Sequence, residues 1–174
     1  MKLDDLIGLR FSYDAVGSTR YVETPPGYHR LDHRARIGGG DEVFRRATEA
    51  LMNWKMHRKA GVRVTATDSP AVIGTNALGR AGVGPLGLPV PCRVVWVADE
   101  PDRVGFAYGT LEGHPASGEE SFVVTREPDG VYFTLRAYSR AGTWYARLGG
   151  PATRATQKLV AQRYGQALER LANP

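Results

Sequence analysis

The sequence predicts an α+β protein in which a curved antiparallel sheet wraps around one long C-terminal helix. Three observations lead to this expectation. A strand and a helix come first, short strand candidates separated by Gly and Pro follow, and the final segment contains almost no helix breakers. Strands that follow one another without intervening helices pair as antiparallel neighbours. One sheet covered on one face by the last helix is therefore expected.

The first strand is predicted to begin at Tyr28 and to be half-buried. Its residues alternate between a mainly apolar face and a mainly charged face, which is the period of two that such a strand shows. The face expected to be buried carries His29, Leu31, His33, Ala35 and Ile37. Three consecutive glycines end the strand.

A first helix is predicted from Asp41 to Lys59. Asp41 and Glu42 place acidic groups at the positive N-terminal end of this helix. An apolar stripe follows at helical spacing and includes Trp54 and His57 near the C-terminal end. Trp54 is therefore predicted to be buried, and His57 either faces a cavity or caps the last turn.

Six short strand candidates follow the first helix. They are Val62 to Thr67, Ala71 to Leu78, Arg93 to Ala98, Val104 to Leu111, Ser121 to Arg126 and Val131 to Tyr138. Gly79 to Pro91 is predicted to be a long loop and a candidate gate to a pocket. The last helix is predicted from about Pro151 to Ala172, long enough to cross the whole sheet.

The chain is predicted to form a single domain over residues 1–174, because its length suffices for one hydrophobic core and no repeat or low-complexity tract divides it. Its first residues lack the pattern of a signal peptide. No apolar run approaches the roughly 18 residues that cross a bilayer. A soluble, cytoplasmic protein is expected, with its oligomeric state left open.

The net charge of +5 comes from basic residues that are interleaved with acidic ones along the chain. No basic run carries the aromatic residues that stack on bases, so no nucleic-acid partner is predicted, although an anionic small ligand is compatible with the charge. Cys92 is the single cysteine, which excludes an internal disulfide and a multi-cysteine metal site. Neither a metal nor a cofactor is indicated.

The catalytic candidates lie between two predicted strands, where Gly and Pro interrupt the run from Gly105 to Val124. This predicted loop carries Glu112, His114, Glu119 and Glu120. His114 and Glu120 are the catalytic candidates, because a carboxylate that orients an imidazole supports general acid-base chemistry. The alternative is a solvated hairpin tip without a chemical role.

Six further residues are candidates for lining a ligand cavity between the sheet and the last helix. They are Tyr108, Trp96, Trp54, His57, Phe106 and Arg136. Phe106 and Tyr108 share one face of their strand. Arg136 lies on the face of the last strand opposite Phe133 and Leu135, and that face is either solvated or turned toward a ligand. Apolar cavities with a few convergent polar groups are the usual sites for small molecules.

Several motifs resemble those of the protein family called domain of unknown function nineteen-ninety. The main motif runs from Gly105 to Pro115 and continues from Gly118 to Phe122. Shorter matches lie in order along the chain at Phe11 to Tyr13, Val16 to Arg20, Pro25 to Tyr28, Phe44 to Gly61, Arg93 to Val95, Ser139, Arg140, Arg147, Leu148, Arg154, Gln157 and Tyr164. The resemblance therefore covers almost the whole chain.

This resemblance implies a helix-grip fold, similar to START and polyketide-cyclase domains, with no settled activity and no catalytic residues to carry over. Two positions depart from the family pattern. Gly38–Gly40 stands where a charged residue between glycines is expected, and Ala116 stands where an acidic residue often follows the His-Pro pair. The second departure removes one carboxylate from the loop.

Two functions are consistent with this sequence. The first is a carrier or sensor that binds a small apolar or aromatic molecule in an internal cavity. The second is a cyclase, aromatase or hydrolase that acts on a carbonyl compound, with acid-base groups at the cavity mouth. The feature that distinguishes them is whether titratable groups point into the cavity.

Overall fold

A computed structural model describes residues 1–21, 23–81, 87–141 and 150–174. Within these residues the chain forms β1 (His29–Gly38), α1 (Asp41–Met52), α2 (Lys55–Lys59), β2 (Arg63–Ala66), β3 (Asn76–Ala81), β4 (Leu88–Glu100), β5 (Arg103–Thr110), β6 (Ala116–Glu127), β7 (Gly130–Ala141) and α3 (Gly150–Ala172). Two short 3-10 helices, Leu3–Leu6 and Ser18–Arg20, precede β1.

The seven strands form one sheet in the order β1-β7-β6-β5-β4-β3-β2, and every neighbouring pair is antiparallel. Strands β2 to β7 follow one another as hairpins, and β1 joins the sheet beside β7. Helix α3 packs against β1 and α1. The predicted antiparallel sheet and C-terminal helix are confirmed.

The main core lies between the helices and one face of the sheet. Val131, Phe133 and Leu135 alternate along β7 toward the helices and are fully buried, as their spacing predicts. Leu51 of α1 and Leu168 of α3 are buried in the same cluster. We call this face of the sheet the helix face.

The opposite face of the sheet is covered by the N-terminal segment. A second small core of Trp96, Ala98, Ala107 and Val123 lies on this face. Tyr13 packs closely on Gly109 of β5, because a Cβ at position 109 would lie 2.0 Å from the Tyr13 hydroxyl. The small residues Ala107 and Gly109 therefore accommodate other residues of the protein on this face. We call this face the N-terminal face.

The prediction of one helix from Asp41 to Lys59 is wrong, because α1 ends at Met52 and α2 begins at Lys55. Trp54 lies between them with φ of +61°, in the left-handed region that residues with a side chain rarely adopt. This turn brings the indole into the core, where it is fully buried and Nε1 donates to the carbonyl of Asp68 at 3.1 Å. Burial of the largest side chain outweighs the cost of the backbone conformation.

Two strand boundaries also differ from the prediction. The expected strand at Ala71 begins only at Asn76. The expected loop from Gly79 to Pro91 is partly strand, because β3 continues to Ala81 and β4 starts at Leu88. Residues 82–86 of that predicted loop lie outside the described residues.

Strand β4 includes Pro89 and Pro91, which the sequence pattern places in a loop. Both prolines precede Cys92, where the pairing of β4 with β5 begins. Their missing N–H groups therefore remove no ladder bond to β5, and Pro91 still accepts a hydrogen bond from the backbone N–H of Leu111 at 3.0 Å.

Candidate functional site

An aromatic cluster fills the helix face of β5 and β6. It is formed by Trp54, His57, Phe106, Tyr108, Phe122 and Tyr164. The His57 ring lies at its centre, with ring centroids 4.9 Å from Phe122, 5.1 Å from Tyr164 and 5.2 Å from Trp54. These separations are typical of rings in direct contact.

Local sequence patterns position the members of this aromatic cluster. Phe106 and Tyr108 are two residues apart on β5, so both point to the helix face. The antiparallel register places Tyr108 opposite Glu120 and Phe106 opposite Phe122. Adjacent aromatic and acidic side chains on two paired strands therefore face the same helix.

The polar pair of the site consists of Tyr108 and Glu120. The Tyr108 hydroxyl donates to a carboxylate oxygen of Glu120 at 2.9 Å. Burial raises the pKa of Glu120 to about 7, although the hydrogen bond from Tyr108 acts in the opposite direction. Burial also raises the pKa of Tyr108 well above its usual value. Near neutral pH, Glu120 therefore changes between its protonated and ionised forms, whereas Tyr108 stays protonated.

Tyr164 of α3 completes this polar corner of the aromatic cluster. Burial raises the pKa of its phenol, the negative charge of Glu120 raises it further, and hydrogen bonding to Tyr108 offsets part of the rise. Two phenols and one carboxyl thus lie together among aromatic rings. Such a group can donate or accept a proton.

His57 is only 1% exposed, and within the described residues neither ring nitrogen has a hydrogen-bond partner. Burial lowers the pKa of His57 to about 3, and the neighbouring charge of Arg58 adds to the decrease. The ring is therefore neutral throughout the physiological range. A buried polar group without a partner costs about 1–3 kcal/mol, so His57 is an unusual residue for a purely structural core.

His114 lies in the turn between β5 and β6. Its role as a catalytic residue stays a prediction. Its Nδ1 accepts a hydrogen bond from the backbone N–H of Ala116 at 2.9 Å. Burial lowers the pKa of His114 to about 4, an effect that the nearby carbonyl of Ala116 partly opposes. These contacts show how the ring holds the turn.

The acidic residues of the predicted loop do not form one group. Strand β6 begins at Ala116, so Glu119 and Glu120 are strand residues on opposite faces of the sheet. Glu112 stays in the turn and pairs with Arg10 at 3.2 Å on the surface. The loop prediction is wrong here, because the strand continues through Gly118 with its backbone against Tyr138.

Glu119 is a buried carboxylate on the N-terminal face. It accepts hydrogen bonds from the Tyr13 hydroxyl at 2.7 Å, the Gly17 N–H at 2.6 Å and the Thr19 N–H at 2.9 Å. The Thr19 hydroxyl donates to it as well. Glu119 therefore joins the N-terminal segment to the sheet.

Two predicted ligand residues, Trp96 and Arg136, lie on the N-terminal face and not in the aromatic cluster. The Trp96 indole donates to the Thr19 hydroxyl at 2.9 Å. Arg136 donates to the carbonyl of Tyr21 at 3.1 Å and pairs with Asp32 at 3.3 Å. The structure brings together the other four predicted ligand residues, Tyr108, Trp54, His57 and Phe106, and adds Glu120 beside Tyr108.

Tyr164 and Phe122 belong to the aromatic cluster but are not among the site residues that the sequence predicts. Tyr164 lies on a stripe of buried residues in α3 that also includes Ala161 and Leu168. This spacing of three and four marks a buried helix face and was the available signal. Phe122 required knowledge of the β5–β6 register, which the sequence does not provide.

No cluster of three or more potential metal ligands occurs in the part of the chain that the structure describes. Across the same residues, a search for helices both long and apolar enough to cross a membrane finds none.

Comparison with solved structures places this sheet and helix among known folds. The chain superposes on a hypothetical protein from Helicobacter pylori with a TM-score of 0.61 at 10% identity, covering 88% of this chain and 96% of that one. It matches the major latex-like protein 151 of Panax ginseng with a TM-score of 0.59 at 14% identity, covering 84% of this chain and 99% of that one.

Norcoclaurine synthase of Thalictrum flavum, solved in complex with dopamine and hydroxybenzaldehyde, is a further match. Its TM-score is 0.57 at 12% identity, with 87% of this chain and 94% of that chain covered. At these identities the likeness shows the fold alone, which is the helix-grip fold.

Proteins related by sequence have a higher identity to this chain than these solved structures have. A UPF0548 protein of Deinococcus radiodurans is 34% identical over 172 residues, covering 92% of this chain and 87% of the relative. A UPF0548 protein of Dictyostelium discoideum is 31% identical over 170 residues, covering 84% and 76%. The family model described as Domain of unknown function (DUF1990) matches residues 12–167, and the chain therefore belongs to this family.

Proposed function

We propose that this protein binds a small aromatic or apolar molecule between the helix face of the sheet and α3, with Glu120 as its polar anchor. The observation that carries the proposal is that Tyr108 and Glu120 remain only half-buried in the middle of the sheet, next to fully buried Phe106 and Phe122. Accessible surface on these two side chains supports the proposal of a ligand space between the sheet and α3.

The walls of this space determine which ligand chemistry it favours. Aromatic rings of the cluster offer faces and edges to another ring, and each such contact adds about 0.5–1.5 kcal/mol beyond area burial. Glu120 and Tyr164 supply a carboxyl and a phenol, and His57 supplies a neutral imidazole. A flat molecule with one or two hydrogen-bonding groups fits this combination.

Norcoclaurine synthase, which shares the fold, was solved with dopamine and hydroxybenzaldehyde, which are small aromatic molecules. This supports the class of ligand and not its identity, because the two chains are 12% identical. The aromatic cluster of the present chain is the independent support for the same class.

The proposal predicts saturable binding of the neutral fluorophore N-phenyl-α-naphthylamine, with an affinity that decreases as pH rises through about 7. Below this pH Glu120 is protonated, and covering it with an apolar ligand costs little. Above it, the ligand must cover a carboxylate and remove it from water, which is unfavourable. Fluorescence titrations from about pH 6 to about pH 8.5 measure the change.

Three variants test the assignment. Glu120→Gln should bind the fluorophore with an affinity that no longer depends on pH in this range. Glu112→Gln removes a surface carboxylate from the preceding turn and should retain the pH dependence. If the turn between β5 and β6 forms part of the entrance to the ligand site, His114→Ala should weaken binding of the fluorophore about tenfold. A pH dependence that persists in Glu120→Gln would contradict the assignment of Glu120.

A second candidate function is an acid-base enzyme that acts on a carbonyl compound. The specific observation in its favour is the proximity of the Tyr108 phenol to a carboxyl whose pKa is about 7. A general base works best when its pKa lies near the working pH. Such a pair can remove a proton from the carbon next to a carbonyl.

Deuterium exchange separates the enzyme from the carrier. An enzyme of this kind should incorporate deuterium next to the carbonyl of β-tetralone in heavy water, faster than buffer alone and in a manner that depends on Glu120. A carrier should bind the ketone and leave its exchange rate at the buffer value. NMR of the ketone, with wild type, Glu120→Gln and Glu112→Gln in parallel, decides between them.

A further inference from the structure

A concave site lies at the β2 edge of the sheet, outside the aromatic cluster. This cleft has a volume of about 670 Å³ and is bordered by Lys2, Leu3, Arg58, Gly61, Val62, Arg63, Val64, Thr65, Leu78 and Arg80. Its size falls within the range of about 300–1,000 Å³ that small-molecule sites occupy.

Of the described residues that border the cleft, four are basic and none is acidic. They are Lys2, Arg58, Arg63 and Arg80. Arg58 donates to the carbonyl of Asn53 at 3.0 Å, and Arg80 donates to that of Gly87 at 3.3 Å. Within the described residues, the side chains of Lys2, Arg58 and Arg80 form no ion pair with a carboxylate.

Several arginines elsewhere on the surface differ, because they pair with neighbouring acids. Arg45 pairs with Glu42 at 2.7 Å, and Arg34 pairs with Glu127 at 2.6 Å. In the cleft, Lys2, Arg58 and Arg80 come from three separate parts of the chain and, among the described residues, have no such acidic partner. Like charges repel, so their convergence is unfavourable unless an anion offsets it.

The cleft also has an apolar side, formed by Leu3, Val62, Val64 and Leu78. A simple inorganic ion would contact only the basic groups and leave these side chains uncovered. A ligand with an anionic head and an apolar body would contact both. Because the planar guanidinium matches phosphate oxygens with two parallel hydrogen bonds, a phosphate head suits the arginines best.

We propose that this cleft binds a small organic phosphate, with its phosphate among Arg58, Arg63 and Arg80 and its apolar part against Val62, Val64 and Leu78. The site is separate from the proposed aromatic site, although α2 contributes to both. His57 of α2 is turned into the aromatic cluster, and the next residue, Arg58, borders the cleft.

The test is an amide NMR titration of the full chain with phenyl phosphate at low ionic strength. The signals of residues 61–65 should shift and saturate, and inorganic phosphate should bind about threefold more weakly or worse because it has no apolar part. The double variant Arg58→Glu/Arg80→Glu should weaken phenyl phosphate binding at least about tenfold.

The matched control is Arg163→Glu/Arg170→Glu, which makes the same change in net charge at two exposed positions of α3. It should bind phenyl phosphate within about twofold of wild type. An equal loss in both double variants would show a general effect of net charge and would overturn the site. If Arg58→Glu/Arg80→Glu does not fold, the double alanine variant replaces it and should weaken binding in the same direction.

A lipid headgroup carries the same phosphate chemistry as a free organic phosphate. Co-sedimentation with phosphatidic acid vesicles separates the two sources. Competition between phenyl phosphate and the vesicles supports the cleft as the common site. An absence of saturable shifts in residues 61–65 overturns the proposal.

Discussion

Trp54→Ala is expected to lower the free energy of unfolding by about 3–5 kcal/mol. The indole is fully buried and contacts Phe106 and His57, with ring centroids 4.8 Å and 5.2 Å away. Its Nε1 also bonds the carbonyl of Asp68. Alanine would leave a cavity at the junction of α1, α2 and the sheet, and it would leave that carbonyl without its partner.

The backbone at position 54 provides an internal control for this prediction. Because Trp54 has φ of +61°, alanine retains the cost of a left-handed conformation, which is about 1–2 kcal/mol for a residue with a Cβ. Glycine does not carry that cost. Trp54→Gly should therefore be no less stable than Trp54→Ala, in contrast to the usual order at a helical position.

Urea denaturation followed by far-ultraviolet circular dichroism measures both changes. Tyr21→Ala removes an aromatic side chain that is 68% exposed and should change stability by less than about 0.5 kcal/mol. A loss below about 1 kcal/mol in Trp54→Ala would mean that the core closes around the missing indole.

Trp54 also illustrates how far the sequence predicts this fold. Its place on an apolar stripe predicts burial, and the indole is buried, although α1 ends at Met52 and a left-handed turn brings Trp54 into the core. The break in the helix at the same residue was not predictable. No proline marks the break. The left-handed turn depends on contacts of Trp54 with Phe106, which lies on β5, and with the carbonyl of Asp68, which also lies outside both helices.

The sequence also predicts the acidic residues of the candidate site only in part. The sequence places a group of acids between two strands, and Glu120 is one of them. Whether an acid belongs to the helix face or the N-terminal face depends on the residue at which β6 begins, and a shift of one position exchanges the two faces. Glu119 and Glu120 are adjacent, and only the strand register separates a structural carboxylate from a candidate functional one.

Glu119→Ala is expected to cost about 3 kcal/mol or more of unfolding free energy. The carboxylate is 3% exposed and accepts hydrogen bonds from Tyr13, Gly17 and Thr19. Removing it leaves several buried donors without an acceptor, and each such donor costs about 1–3 kcal/mol unless water reaches it. Detachment of the N-terminal segment would satisfy these donors with water and would uncover Trp96, whose indole bonds Thr19.

Two measurements monitor the loss of stability in Glu119→Ala. Urea denaturation gives the stability, and hydrogen exchange of the amides of Gly17 and Thr19 reports whether the segment has detached, because both donate to Glu119. Glu112→Ala is the matched control. Its ion pair with Arg10 joins side chains that are 45% and 87% exposed, so it should change stability by less than about 1 kcal/mol and leave exchange unaltered. Equal effects of the two substitutions would show that the N-terminal segment is held by its apolar contacts, and that the buried carboxylate contributes no more than a surface one.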